Sequence, residues 1–160
     1  MKPLTLIGLF VAWAVCATAH PSPDLEKEKA ELLRRHTLDR EAHFKTDVDL
    51  LMENAPEEFI AVSRGKISRS SKADARKMFI GYFRDAKYYE WDDLEEPIVR
   101  VSNDASMAWM IVRTRIRRVQ KAADGTEKEE KAIYAGIMTY EKRDGHWVRV
   151  ANVSTFEQPN

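Results

Sequence analysis

Cysteine is almost missing from this 160-residue chain: the one thiol, Cys16, lies in the N-terminal stretch. A domain built from the rest has no disulfide or thiolate chemistry and must stabilise itself by burying a core. An excess of either charge is missing too, with 26 basic against 26 acidic groups. That balance argues against nucleic acid or an anionic membrane as a partner. Six glycines and six prolines are scattered singly, so there is no low-complexity linker, and no internal repeat is visible. After residue 19 no apolar run approaches the ~20 residues needed to cross a bilayer.

The N-terminus has the layout of a secretory signal. Lys2 is the positive end, Leu4 to Val15 the apolar run, and Ala17-Thr18-Ala19 a small-residue cleavage site. Cleavage after Ala19 removes Cys16 and Lys2 and predicts a secreted or periplasmic protein with no membrane anchor. The expected organisation is a signal peptide over 1–19, a short leader over 20–24, one domain over 25–156 and a tail over 157–160. That domain is long enough to bury a real core.

Helical spacing of Leu25, Leu32, Leu33, His36, Arg40, His43 and Phe44, without Pro or Gly, predicts one long helix to Lys45. Asp47 is placed to cap a short second helix that ends before Pro56. A strand over Glu58 to Arg64 turns at Gly65, and Ser70 or Ser71 starts a third helix with Met78, Phe79, Tyr82 and Phe83 inward. Strands are then expected at Tyr88 to Asp92, Ile98 to Val101, Met107 to Gln120, Glu127 to Lys142 and His146 to Phe156. Helices first and a long antiparallel meander afterwards make an α+β domain, with helices on one side of a curved sheet.

Two Asp-Gly dipeptides, Asp124-Gly125 and Asp144-Gly145, mark the hairpins of the meander. Two-residue turns at both would place Trp109 opposite Tyr140, Arg113 opposite Gly136 and Arg115 opposite Tyr134. One face then carries Trp109, Ile111, Arg113, Arg115, Arg117, Tyr134, Met138 and Tyr140. The other carries Met110, Val112, Thr114, Ile116, Ile133, Ala135, Ile137, Thr139, Val148, Val150 and Asn152, and is the one expected under the helices. The Arg/aromatic face is too apolar for plain solvent surface, which predicts a homodimer through the sheet.

The long first helix, the Asp47 cap, the strand ending at Gly65 and the closing Asp144-Gly-His-Trp-Val-Arg-Val150 together resemble the nuclear-transport-factor-2-like superfamily. Within it the chain resembles the SnoaL-like and uncharacterised secreted bacterial branches, over nearly all of residues 25 to 156. The resemblance implies a cone in which a curved sheet wraps around helices and leaves an apolar pocket at the open end. Ketosteroid isomerases, polyketide cyclases, dehydratases and non-enzymatic association domains share this fold, so it does not by itself assign a function. The acidic positions of the isomerase-type members are not matched residue by residue.

Asp39 and His43 are four apart on the long helix, so one face can hold both. A carboxylate orienting a buried imidazole is the arrangement of a general base at neutral pH. A plain helical surface pair is the competing interpretation. Tyr82, Trp91, Thr139 and Asn152 are further candidates, as polar or aromatic groups that orient a ligand in an apolar pocket. His36 and His43 lie seven apart, ~10 Å along a helix, so joint metal ligation is not expected, and no cofactor motif is present. Cross-strand pairing with Glu127, Glu129 and Glu130 accounts for the basic run Arg113, Arg115, Arg117 and Arg118.

The expected function is an exported pocket protein that binds a small, largely apolar molecule. The alternatives are a proton-transfer isomerase, cyclase or dehydratase using Asp39 and His43, and a non-catalytic dimerisation module.

Overall fold

The computed structural model describes residues 22–157; the signal-peptide, cleavage-site and Cys16 expectations lie outside the described residues. Helix α1 (Leu25–Lys45) begins where the Asp24 side chain accepts from Lys27 N, and ends at Thr46 in the left-handed region. Glu26 and Glu28 in its first turn and Lys45 in its last suit the helix dipole. Helix α2 (Val48–Met52) is capped by Asp47, which accepts from Leu50 N at 2.9 Å, and α3 (Lys72–Phe83) by Ser71. Each cap satisfies a backbone donor that the helix itself cannot.

The strands are β1 (Glu58–Ser63), β2 (Lys66–Ser71), β3 (Ala86–Asp93), β4 (Ile98–Val101), β5 (Met107–Lys121), β6 (Glu127–Arg143) and β7 (His146–Glu157). They form one sheet in the order β2-β1-β7-β6-β5-β3. Strands β3 and β4 share the same edge of β5, separated by the corner at Leu94 to Pro97. The β1–β7 pairing is parallel and the others are antiparallel. The architecture is α+β, with the helices on one side of a curved, unclosed sheet.

The register corrects part of the expectation. Asp144 (φ 49°) and Gly145 (φ 82°) make the two-residue turn, and Arg143 pairs with His146. At the other Asp-Gly only Gly125 has positive φ, and Ala122 N donates to Thr126 O across a three-residue loop. Such a loop ends in a glycine bulge and shifts the register by one. Trp109 therefore faces Thr139, Arg113 faces Ala135 and Arg115 faces Ile133.

The assignment of β5 stands while that of β6 is exchanged. Tyr134, Met138 and Tyr140 turn under the helices with Met110 and Val112, and Ile133, Ala135, Ile137 and Thr139 turn outward. In β7 a bulge near Val150 keeps both Arg149 and Asn152 on the helix side, while Val148 faces outward.

Two clusters make the core. Leu32 packs on Val99, Met110, Val112, Met138, Tyr140 and Trp147 over the middle of the sheet. Ala42, Leu51, Phe83, Tyr88 and Ile116 fill the other end. The buried residues of α1 are Leu32, Arg35, Ala42 and His43, whereas Leu33 and Phe44, part of the helical spacing that predicts α1, are exposed. Small Ala42 and the long stem of Arg35 form the contact face, and neither registers as strongly apolar in a periodicity count. On α3, Phe79, Tyr82 and Phe83 turn inward, but Met78 is 58 % exposed.

Candidate functional site

Between α1, α2, α3 and the β6–β7 hairpin lies a cavity of about 40 Å³. Its apolar lining includes Leu51 and Met52 of α2, Phe59 of β1 and Phe79 of α3. Its polar lining comes from Arg35 and Asp39 of α1, Asn54, Tyr140 of β6, and Trp147 and Arg149 of β7. Arg35 and Asp39 share a helix face because they are four apart. Tyr140 and Arg149 face each other directly across the hairpin.

The charges in this lining are paired. Arg149 Nη1 donates to Asp39 Oδ2 at 2.9 Å, and Arg35 Nη1 to Glu53 Oε2 at 2.7 Å. The neighbouring Asp39 carboxylate raises the pKa of Arg149 further, so its charge is permanent. Burial pushes the Tyr140 phenol up to about 12, which keeps it protonated at any physiological pH. At the mouth, Glu28 accepts from Trp147 Nε1 at 2.8 Å and from the Lys142 ammonium. The Lys142 ammonium and the Trp147 donor hold that carboxyl below its usual pKa against the opposing effect of desolvation.

His43 lies elsewhere. It is buried in the second cluster, stacked on Trp91 at 3.6 Å with Tyr82, Phe83 and Tyr88 edge-on around it. Its Nδ1–H donates to the Asp39 backbone carbonyl at 2.6 Å, one helical turn back. Burial lowers its pKa to about 4, so the ring is neutral near pH 7. The expected pair of the Asp39 carboxylate with the His43 imidazole is thus absent: the carboxylate turns to Arg149, whose full charge it neutralises.

The other expected ligand contacts are dispersed. Tyr82 and Trp91 belong to the aromatic box around His43, and Arg118 lies over the Tyr82 ring at 4.5 Å. Thr139 is on the outer sheet face opposite Trp109 and Ala151, because the Gly125 bulge reverses its strand. Asn152 is on the helix side, paired with Met138 and Ala61. Of the six expected residues, only Asp39 lines the cavity.

Arg35, Tyr140, Trp147 and Arg149 were not anticipated as site residues. A signal existed for Arg35, a charge four residues before Asp39 and three after Leu32 on the stripe the helix buries. A two-residue turn at Asp124-Gly125 would turn Tyr140 outward, and the three-residue loop found there turns it toward the cavity.

Of the basic run on β5, Arg118 and Arg117 meet the expected glutamates, Glu130 at 2.7 Å and Glu129 at 3.4 Å, and Arg117 also meets Glu90 at 2.8 Å, while Arg113 pairs instead with Glu95 at 3.2 Å. Among the described residues no three His, Cys, Asp or Glu side chains converge as a metal site would require. Also among them, no helix is long and apolar enough to cross a membrane.

No protein-family model matches this sequence, and no curated protein aligns with it significantly. Solved structures match in three dimensions. A proposed Ca/calmodulin-dependent kinase II association domain from Exiguobacterium sibiricum gives a TM-score of 0.63 at 7 % identity, over 83 % of this chain and 95 % of that one. A ketosteroid isomerase-like protein from Erwinia carotovora atroseptica gives 0.60 at 14 % identity, over 83 % and 98 %. A nuclear-transport-factor-2-like protein of unknown function in nutrient uptake from Rhodospirillum rubrum gives 0.58 at 16 % identity, over 79 % and 98 %. At such identities the likeness is one of fold: this chain has the nuclear-transport-factor-2-like, cystatin-like fold.

Proposed function

We propose that this is an exported binding protein that holds a small molecule in the cavity between α1, α2, α3 and the β6–β7 hairpin. The supporting observation is the lining, apolar at Leu51, Met52, Phe59 and Phe79 and polar at Arg35, Asp39, Tyr140 and Arg149. A few convergent polar groups in an apolar hollow are the usual make-up of a ligand site. At about 40 Å³ the hollow has room for about three water molecules, so the ligand is far smaller than a drug-sized compound. Export rests on Lys2, the Leu4 to Val15 run and Ala17-Thr18-Ala19 alone.

We further propose that the protein is a homodimer joined through the outer face of its sheet. Ile98, Met107, Ile111 and Val153 are each more than a third exposed there, beside Trp109, Ile133 and Ile137. An apolar face of this extent is typical of an interface. The likeness to an association domain agrees with this reading. A proton-transfer isomerase, cyclase or dehydratase has less support, since the Asp39 carboxylate is tied to Arg149 and His43 is enclosed by aromatic rings.

Native mass spectrometry of the mature chain, residues 20–160, tests both parts. The expected result is a dimer mass carrying a small co-purified molecule. Failure to bind any small molecule, either on purification or in a fragment screen by NMR, sinks the binding reading. A monomer at micromolar concentration sinks the dimer.

A further inference from the structure

We infer that the ligand of this cavity is a small carboxylate, received by the Tyr140 hydroxyl and by free guanidinium nitrogens of Arg35 and Arg149. The inference rests on the binding function proposed above. Tyr140 is 3 % exposed, yet the hydrogen bond its hydroxyl makes is to Met138 Sδ at 3.6 Å. A thioether is a weak acceptor, so this buried O–H has most of its donor strength unused. A phenol that lines a cavity in this state suits an oxyanion.

The two arginines carry the argument further. Arg35 is 8 % exposed and its intrachain hydrogen bond uses only Nη1, on Glu53. Arg149 also uses only Nη1, on Asp39 and Met138 Sδ. Among the described residues no fully buried side-chain nitrogen or oxygen lacks a partner. The remaining nitrogens of both guanidiniums therefore keep solvent access, and both side chains line the cavity. Two guanidiniums line the space against one carboxylate, Asp39, because Glu53 stands outside it with its side chain 57 % exposed. Glu53 meets Arg35 from the solvent side, where water screens it, so the lining itself is net positive and suits a monoanion.

Shape and access agree. Arg35, Asn54 and Trp147 line both the cavity and the surface groove beside it, so entry passes along the Arg35 side chain. A planar two-oxygen group matches the guanidinium fork. Phosphate would bring a second charge with no partner, and no tail for Leu51, Met52 and Phe79. Room for about three waters limits the acid to a few non-hydrogen atoms.

The test is an NMR titration of the mature protein with sodium propionate and with propionamide, its neutral isostere, into the millimolar range. Propionate is expected to saturate and shift the Trp147 indole and Asn54 amide signals, with propionamide about tenfold weaker or worse. Tyr140→Phe and Arg35→Gln are each expected to weaken propionate about tenfold, and neither disturbs the Asp39–Arg149 pair. If Arg35→Gln does not fold, Tyr140→Phe decides. Equal binding of acid and amide, or an unchanged affinity in Tyr140→Phe, overturns the carboxylate and leaves the binding function standing. If neither compound binds while another molecule co-purifies, the carboxylate is again overturned. If neither binds and nothing co-purifies, both readings fall.

Discussion

Trp147, at the start of β7, donates its indole N–H to Glu28 in the first turn of α1 across 2.8 Å and 119 residues of sequence. Lys142 reaches the same carboxylate, so one acidic group ties the β6–β7 hairpin to the beginning of the long helix. Trp147→Phe keeps most of the ring and removes the donor. It is expected to lower stability by about 1–2 kcal/mol, read from urea unfolding. No loss would mean that Lys142 alone holds the junction.

Buried His43 sets a pH dependence. The unfolded chain protonates this ring near pH 6.5 and the folded chain only near 4. Between those values the unfolded state binds more protons, so stability is complete above the window and falls as pH drops through it. The full loss is on the order of 3 kcal/mol, levelling off below the folded value. His43→Phe, in a box already built of Trp91, Tyr82, Phe83 and Tyr88, should flatten that slope. Parallel stability–pH curves for the two proteins between pH 6.5 and 4.5 would contradict this account.

Gly136 of β6 has no room for a side chain. A methyl group there would lie 2.7 Å from the Val153 carbonyl oxygen and 2.8 Å from Tyr134 Cζ. The carbonyl belongs to the backbone of the next strand and cannot swing aside. Gly136→Ala is expected to cost about 1–3 kcal/mol by thermal or urea unfolding, although alanine normally suits a strand better than glycine.

Ile111 stands in the middle of the outer sheet face, opposite Ile98 and Ile137 and 38 % exposed. Ile111→Lys leaves the core untouched and places a charge in the proposed dimer interface. Sedimentation velocity is expected to show the dimer converted to monomer at micromolar concentration, with the melting transition of the monomer still cooperative. A dimer that survives the lysine must use another surface.

The element order, the caps at Asp47 and Ser71, and the limits of α1 were all readable from the sequence, because each depends on local chemistry. The site was less readable, for a reason that traces to one residue. Asp124-Gly125 and Asp144-Gly145 are the same dipeptide, but only Asp144 takes a positive φ. At the first, the Asp124 carboxylate accepts from Thr126 N and Thr126 Oγ1, which holds a longer loop. That single-residue difference moved Tyr140 into the cavity and Thr139 out of it. His43 failed as a partner of Asp39 for a different reason: which side chain wins a carboxylate depends on Arg149, 110 residues away.

The parallel pairing of β1 with β7 has a consequence for how the chain is made. Ile60 to Ser63 lie beside Ala151 to Ser154, and on its other side β1 has only the hairpin partner β2. A growing chain cannot dock that hairpin into the main sheet until β7 exists. Contacts this distant in sequence form late and slowly. Completion of the fold is therefore timed by β7, and a chain that stops before this strand keeps one edge of β1 bare.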